Sequence, residues 1–223
     1  MARKLTTILA ADVVGFSKLV GADERGTLAA LREARVIVDG LITERRGRIF
    51  GGAGDSVIAE FGSAVEATEA AIAIQKTLAG NGTAIPDGPR LQLRIGLNVG
   101  DVVIEGDNLM GDGVNVAARI EALAEPGGIC LSRSVFEQVR GKIDAVFDPL
   151  GRHTLKNIAK PVMVYRLALD GRVRPAHVRW LAEARRHAWA IGGLAAVTLV
   201  AVGTFIWQAE RTTTPARAKA SIA

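Results

Sequence analysis

Residues 188–207 read AWAIGGLAAVTLVAVGTFIW: twenty consecutive residues without a charge, in which Thr198 and Thr204 are the only polar side chains. A helix of about twenty apolar residues is the length that crosses a hydrocarbon core of about 30 Å. Trp189 and Trp207 bracket the run, roughly 27 Å apart at helical rise, and Trp favours the membrane–water interface. A buried core helix would be shorter and keep a polar face. The run therefore divides the chain into a domain (1–171), a basic juxtamembrane segment (172–187), a transmembrane helix (188–207) and a polar tail (208–223) that is expected to be disordered.

Charge follows the same division. The chain has 28 Lys and Arg and 23 Asp and Glu, a net charge of +5. Residues 1–171 hold 20 of these cations and 21 of the acids, so the basic excess lies wholly after Gly171. Arg172, Arg174, Arg179, Arg185 and Arg186 precede the span, and Arg211, Arg217 and Lys219 follow it. The positive-inside rule then puts the N-terminal domain in the cytoplasm of a single-pass membrane protein. Asp12 breaks the first apolar run, so no signal peptide is expected there. A basic tail beside a span, with few aromatics to stack on bases, argues against a nucleic-acid binder. One cysteine, Cys130, excludes a disulfide framework and a Cys-based zinc site, and His153, His177 and His187 are too dispersed for a His cluster.

The domain reads as alternating strands and helices. Leu5–Val14 is a buried strand, followed by a helix from Asp23, its N-cap, to about Arg46. Arg48–Gly51 and Ser56–Phe61 are short strands joined by Gly51-Gly52-Ala53-Gly54-Asp55, a turn rich in positions that allow φ > 0. Ser63 caps a helix to about Leu78, and Asn81–Gly88 is a loop. Leu91–Val99 and Val102–Glu105 are strands flanking Gly100-Asp101, then Gly106–Gly113 is a loop. Val114–Leu123 is a helix, Ile129–Leu131 a strand, Ser132 caps a helix to Arg140, and strands follow near Ala145–Leu150 and Pro161–Leu167. The order predicts an α+β fold, a ferredoxin-like βαββαβ sandwich with extra C-terminal strands.

Two strands each end in a carboxylate, Asp12 and Asp55. An acid at the end of an apolar strand is costly unless it is paired or holds a metal, and two carboxylates from adjacent strands suit a divalent cation that also binds phosphate oxygens. The Gly51–Gly54 stretch is not a Walker A loop, because no Gly-Lys-Ser/Thr follows. Asn115 and Arg119 stand at i and i+4 on one helix face.

Five segments in order carry more than any one of them: Ala11-Asp12-Val13-Val14-Gly15-Phe16-Ser17, Ala53-Gly54-Asp55-Ser56, Arg94-Ile95-Gly96-Leu97-Asn98-Val99-Gly100, Gly111-Asp112-Gly113-Val114-Asn115-Val116-Ala117-Ala118-Arg119, and Leu155-Lys156-Asn157-Ile158 leading to Pro161–Tyr165. Over Leu5–Leu169 the chain resembles the class III nucleotidyl cyclase catalytic domain, the adenylate/guanylate cyclase family. The resemblance implies that Asp12 and Asp55 hold two Mg²⁺ or Mn²⁺ ions, with the Val13 carbonyl as a further ligand. It implies that the Gly15-Phe16-Ser17 backbone wraps the β- and γ-phosphates and that Lys156 contacts the polyphosphate. Asn115 then orients the ribose and Arg119 meets the α-phosphate. The implied activity is conversion of ATP to 3′,5′-cyclic AMP and pyrophosphate in a homodimer, each site taking its metal side from one subunit and its Asn/Arg side from the other, so a monomer is expected to be inactive. Family members acting on ATP usually carry Lys four residues before the second metal Asp and an acid or Thr seven before the ribose Asn. Those places hold Gly51 and Asn108, and the Glu with Cys or Ser that selects guanine is absent too. This leaves GTP as an alternative substrate, and a non-catalytic nucleotide-binding or dimerisation module as a rival that the retained Asp12, Asp55, Asn115 and Arg119 oppose.

Overall fold

Thr6–Ala11 is a continuous run of buried residues, which a strand can be only if both faces of its sheet are covered. The computed structural model describes residues 2–80 and 90–169. The segments 172–187, 188–207 and 208–223 and the loop expected at 81–88 lie outside the described residues. Among the described residues no helix is long and apolar enough to cross a membrane.

The strands are β1 (Ala2–Val13), β2 (Arg48–Gly51), β3 (Val57–Phe61), β4 (Leu93–Glu105), β5 (Asn108–Met110), β6 (Ile129–Ser132), β7 (Val146–His153) and β8 (Val162–Ala168). The helices are α1 (Phe16–Ala22), α2 (Glu24–Glu44), α3 (Ala64–Gly80), α4 (Asp112–Glu121) and α5 (Arg133–Val139). They form an α+β structure around one sheet of order β2-β3-β1-β4-β6-β8-β7, with β5 added to β4. All its pairings are antiparallel except β4 with β6.

Strand alternation splits the core in two. Leu9, Ala11 and Val13 of β1 and Leu93, Ile95 and Leu97 of β4 point to one face, under α2, α3 and α5. Burying a side chain such as Leu9 or Ile95 there stabilises the fold by about 1.5–3 kcal/mol. Ile8 and Ala10 point to the opposite face, where they meet Leu109, Ala117 and Phe50. Helix α4 occupies this second face, and small residues let it lie close. A Cβ at Gly96 would stand 2.3 Å from the carbonyl oxygen of Ala117 and 2.3 Å from the nitrogen of Glu121, and one at Gly100 would stand 2.8 Å from Cα of Gly113. Cys130 packs beside Val116 and Ile120, and burial pushes its thiol up to about 12, so it is a packing residue.

Several expectations are corrected. Gly100-Asp101 does not separate two strands: both residues keep their register with β1, opposite Thr6 and Leu5, so β4 runs unbroken for 13 residues. The expected loop at Gly106–Gly113 contains β5, and α4 starts at Asp112 rather than Val114. Helix α1 follows Gly15 directly. Asp23 caps α2 as expected, accepting from the Gly26 N–H at 3.0 Å. Ser132 is the N-cap of α5 but makes no side-chain cap bond; its hydroxyl pairs with that of Ser134 at 2.7 Å.

Candidate active site

Asp12 is the last residue of β1 on the α4 face, directly across from Arg94 in register. The hairpin between β2 and β3 brings the second acid to it. Ser56 ties that turn, with its Oγ accepting from the Ala53 N–H at 2.9 Å and donating to the Ala53 carbonyl at 3.1 Å. Gly52 takes φ 128, where a Cβ would strike the Ser56 carbonyl at 2.3 Å. The turn so built places the Asp55 carboxyl beside that of Asp12. Burial raises the Asp55 carboxyl above its ordinary value and the bond and charge of Asp12 raise it further, while the N–H groups of Asp55 and Val13 oppose this. Two neighbouring carboxyl groups are a hard-oxygen donor pair that suits a divalent cation. The residues present therefore fit the metal role. Among the described residues no group of three or more His, Cys, Asp and Glu is placed to hold a metal, so the remaining ligands would be carbonyl, phosphate or water oxygens.

Beside the carboxylates the chain turns at Gly15, in the left-handed region at φ 67, into α1. The Gly15 carbonyl accepts from the N–H groups of Lys18 and Leu19. The first-turn N–H groups of Phe16 and Ser17 are left, as at any helix start, without a partner within the helix, an arrangement suited to phosphate oxygens.

Asn115 and Arg119 lie on α4, both exposed, with Val116 and Ile120 buried between and behind them. Lys156 stands on the loop after β7, whose Leu155 and Ile158 pack against Val116 and Ile120. These three therefore form a second group around α4. No hydrogen bond or ion pair among the described residues joins Asn115, Arg119 or Lys156 to Asp12 or Asp55.

Gly51 ends β2 and Asn108 opens β5, and these two strands are neighbours. The β4–β5 turn folds back to β2, where Arg48 Nη1 donates to the Asp107 carbonyl at 2.8 Å. The Arg48 Nε–H donates to Glu60 at 2.6 Å. Burial acts to raise Glu60, and the bonds and charges of Lys4 and Arg48 outweigh it and hold it below its ordinary value. Gly51 does not occupy the left-handed region, and a Cβ there would meet only Ile58, at 3.7 Å.

Two residues of this region were not singled out in the sequence. Arg94 Nη2 lies 3.4 Å from Asp12 Oδ2, and Arg94 Nε lies 3.0 Å from Glu121 Oε1. Burial pushes the Glu121 carboxyl up to about 7; Arg94 lowers it, and the charges of Asp12 and Asp55 raise it. A cation inside the otherwise apolar stretch Leu93–Leu97 was the available signal for Arg94.

Residues 3–168 match the family model described as the adenylate and guanylate cyclase catalytic domain. A Rhizobium meliloti protein named "Putative adenylate cyclase 3" is 43% identical over 173 residues, which is 77% of this chain and 30% of that protein. The chain spans 19% to 38% of the lengths of the first curated relatives that it matches. The crystal structure of an adenylate/guanylate cyclase/hydrolase from Silicibacter pomeroyi is similar with a TM-score of 0.70 and 37% identity, covering 75% of this chain and 98% of that one. The adenylyl cyclase CyaB from P. aeruginosa shares the fold, with a TM-score of 0.64 and 24% identity over 77% of this chain and 96% of that one.

Proposed function

The chain belongs to the family of adenylate and guanylate cyclase catalytic domains, and on that footing we propose that it converts ATP to 3′,5′-cyclic AMP and pyrophosphate as a homodimer with composite sites. The observation that carries this reading is the Asp12–Asp55 carboxylate pair, to which the exposed Asn115 and Arg119 of the same chain make no hydrogen bond or ion pair among the described residues.

Two Mg²⁺ or Mn²⁺ ions, held by Asp12 and Asp55 with the Val13 carbonyl, would neutralise triphosphate charge and lower the pKa of the ribose 3′-hydroxyl. The reaction forms a bond from the 3′-oxygen to the α-phosphorus, releases the hydroxyl proton and breaks the bond to the β-phosphate, so pyrophosphate leaves. Asn115 from the partner chain orients the ribose for in-line attack, which converts an improbable encounter into a fixed geometry. Arg119 from that chain stabilises charge on the α-phosphate oxygens, and Lys156 adds to it. The N–H groups of Phe16 and Ser17, in the first turn of α1, receive the outer phosphates, and Arg94 supplies a permanent positive charge beside the carboxylate pair.

Adenine is the proposed base because two of the similar proteins carry adenylate or adenylyl cyclase in their names. GTP is the competitor, since Gly51 brings no side chain to a base and Asn108 can donate or accept. The test is full-length protein with ATP or GTP and Mg²⁺ or Mn²⁺, reading cyclic nucleotide and pyrophosphate. One-to-one release from ATP, absent in a folded Asp55→Ala protein, is expected. Nucleotide binding without either product, or undiminished turnover in Asp55→Ala, would overturn the reading.

The uncharged run 188–207 supports a further part of the proposal: a single-pass anchor in the cell membrane with the catalytic domain on the cytoplasmic side. Ending the chain at Gly171 should move activity from the membrane fraction to the soluble one. A full-length chain already in the soluble fraction would contradict the anchor.

A further inference from the structure

Helix α4 carries two charged residues that face different surroundings. Arg119 is exposed, whereas Glu121, two positions later, is 8% exposed. Glu121 Oε1 contacts Arg94 Nε at 3.0 Å, and the Nη2 of the same arginine reaches Asp12 Oδ2 at 3.4 Å. The contact is fixed from both sides. Arg94 stands across from Asp12 in the β1–β4 register, and the backbone of α4 is pressed onto β4 at Gly96, where a Cβ would lie 2.3 Å from the Glu121 nitrogen. Guanidinium is a rigid planar fork whose separate edges can serve two carboxylates at once. A carboxylate as buried as Glu121 is costly unless it is paired, so it remains on Arg94. By holding Nε, it also aims the other end of the fork at Asp12.

We propose that Glu121 is a positioning residue for the metal-binding half of its own chain, acting on Asp12 through Arg94, although it lies on the helix whose Asn115 and Arg119 complete the partner's site. Helix α4 then serves both active sites of a dimer, one through its exposed face and one through its buried C-terminal acid. This assignment rests on the shared-site reading above. If Glu121 were only an anchor for the helix, its loss would instead misplace Arg119. The two roles differ in which half of the site fails.

Heterodimers of full-length chains bearing two different affinity tags, purified through both, separate these roles. The control pair is Asp12→Ala with Arg119→Ala, which should regain about half the wild-type activity because one of two symmetric sites is whole. Glu121→Gln removes the charge at constant shape, and its homodimer should lose about ten- to hundredfold in kcat/KM, the effect of one close charged contact. Paired with Arg119→Ala, the Glu121→Gln chain should recover to the level of the control pair. Paired with Asp12→Ala, it should stay about ten- to hundredfold below it. Recovery only with the Asp12→Ala partner, or with neither, would make Glu121 a helix anchor and overturn the proposal. So would a Glu121→Gln homodimer as active as wild type. Should the Gln variant lose its circular dichroism, Glu121→Asp, shorter but still anionic, goes through the same two pairings with the same expected pattern and the same overturning one. A silent control pair in verified heterodimers overturns the shared site, and this assignment with it.

Discussion

Glu121 and Asp55 are acids that burial pushes toward their protonated forms. For Glu121 the ordinary value of 4.5 rises to about 7. The folded chain therefore holds this proton at pH values where the unfolded chain has lost it. The group's contribution to stability is complete below 4.5 and disappears as pH rises through about 7. In metal-free protein the melting temperature should fall between about pH 4.5 and 7, by roughly 2–4 °C for each kcal/mol involved. Glu121→Gln, which mimics the protonated acid, should flatten that fall; equal slopes in both proteins would show that Glu121 does not titrate this way. A second residue-scale prediction concerns the base. The backbone at Gly51 lies outside the left-handed region and only Ile58 stands near its Cβ position, so a side chain can start there without backbone strain. Gly51→Lys with Asn108→Asp should raise the ATP/GTP ratio of kcat/KM by about five- to hundredfold, two hydrogen bonds' worth. An unchanged ratio in a folded double mutant would remove both positions from the base pocket. Asp12, Asp55, Asn115 and Arg119 were legible as candidates through the five ordered segments and the cyclase resemblance that those carry, not through spacing alone. Arg94 and Glu121 were not: their significance comes from meeting across β1, β4 and α4, and no local period records such a pairing.

At the scale of elements, the segment Arg94–Gly100 shows where a sequence reading stops. Its apolar residues give the strand, yet Gly100 looks like a turn when read locally. In the fold it is a place where α4 touches β4, at 2.8 Å from Cα of Gly113 to a would-be Cβ, and the strand continues. Helix α1 and strand β5 were likewise missed, being 7 and 3 residues long, too short for a period to show. The longer helices α2, α3 and α4 were placed to within a few residues because their buried stripes repeat over two turns or more. The close approach makes a sharp prediction. Gly96→Ala forces a methyl against the backbone of α4 and should cost about 1–3 kcal/mol or more, with activity falling as the helix lifts. Gly40→Ala, inside α2 with open space around it, should instead stabilise by about 0.5–1 kcal/mol. Urea denaturation of the two proteins measures both; a Gly96→Ala protein as stable as wild type would mean that α4 is not held at this distance.

For the molecule as a whole, the groups that the chemistry needs together fall into two sets. Asp12, Asp55 and the start of α1 form one set; Asn115, Arg119 and Lys156 form another around α4, with no hydrogen bond or ion pair between them within the described chain. A two-fold dimer supplies each set to the other twice, so neither set has to meet its counterpart in the same chain. The most direct measurement is cyclic-nucleotide production by purified heterodimers of Asp12→Ala and Arg119→Ala chains, each inactive as a homodimer. The shared site predicts a return to about half the wild-type rate, because one complete site is reassembled per dimer; verified heterodimers that make no cyclic product would contradict it.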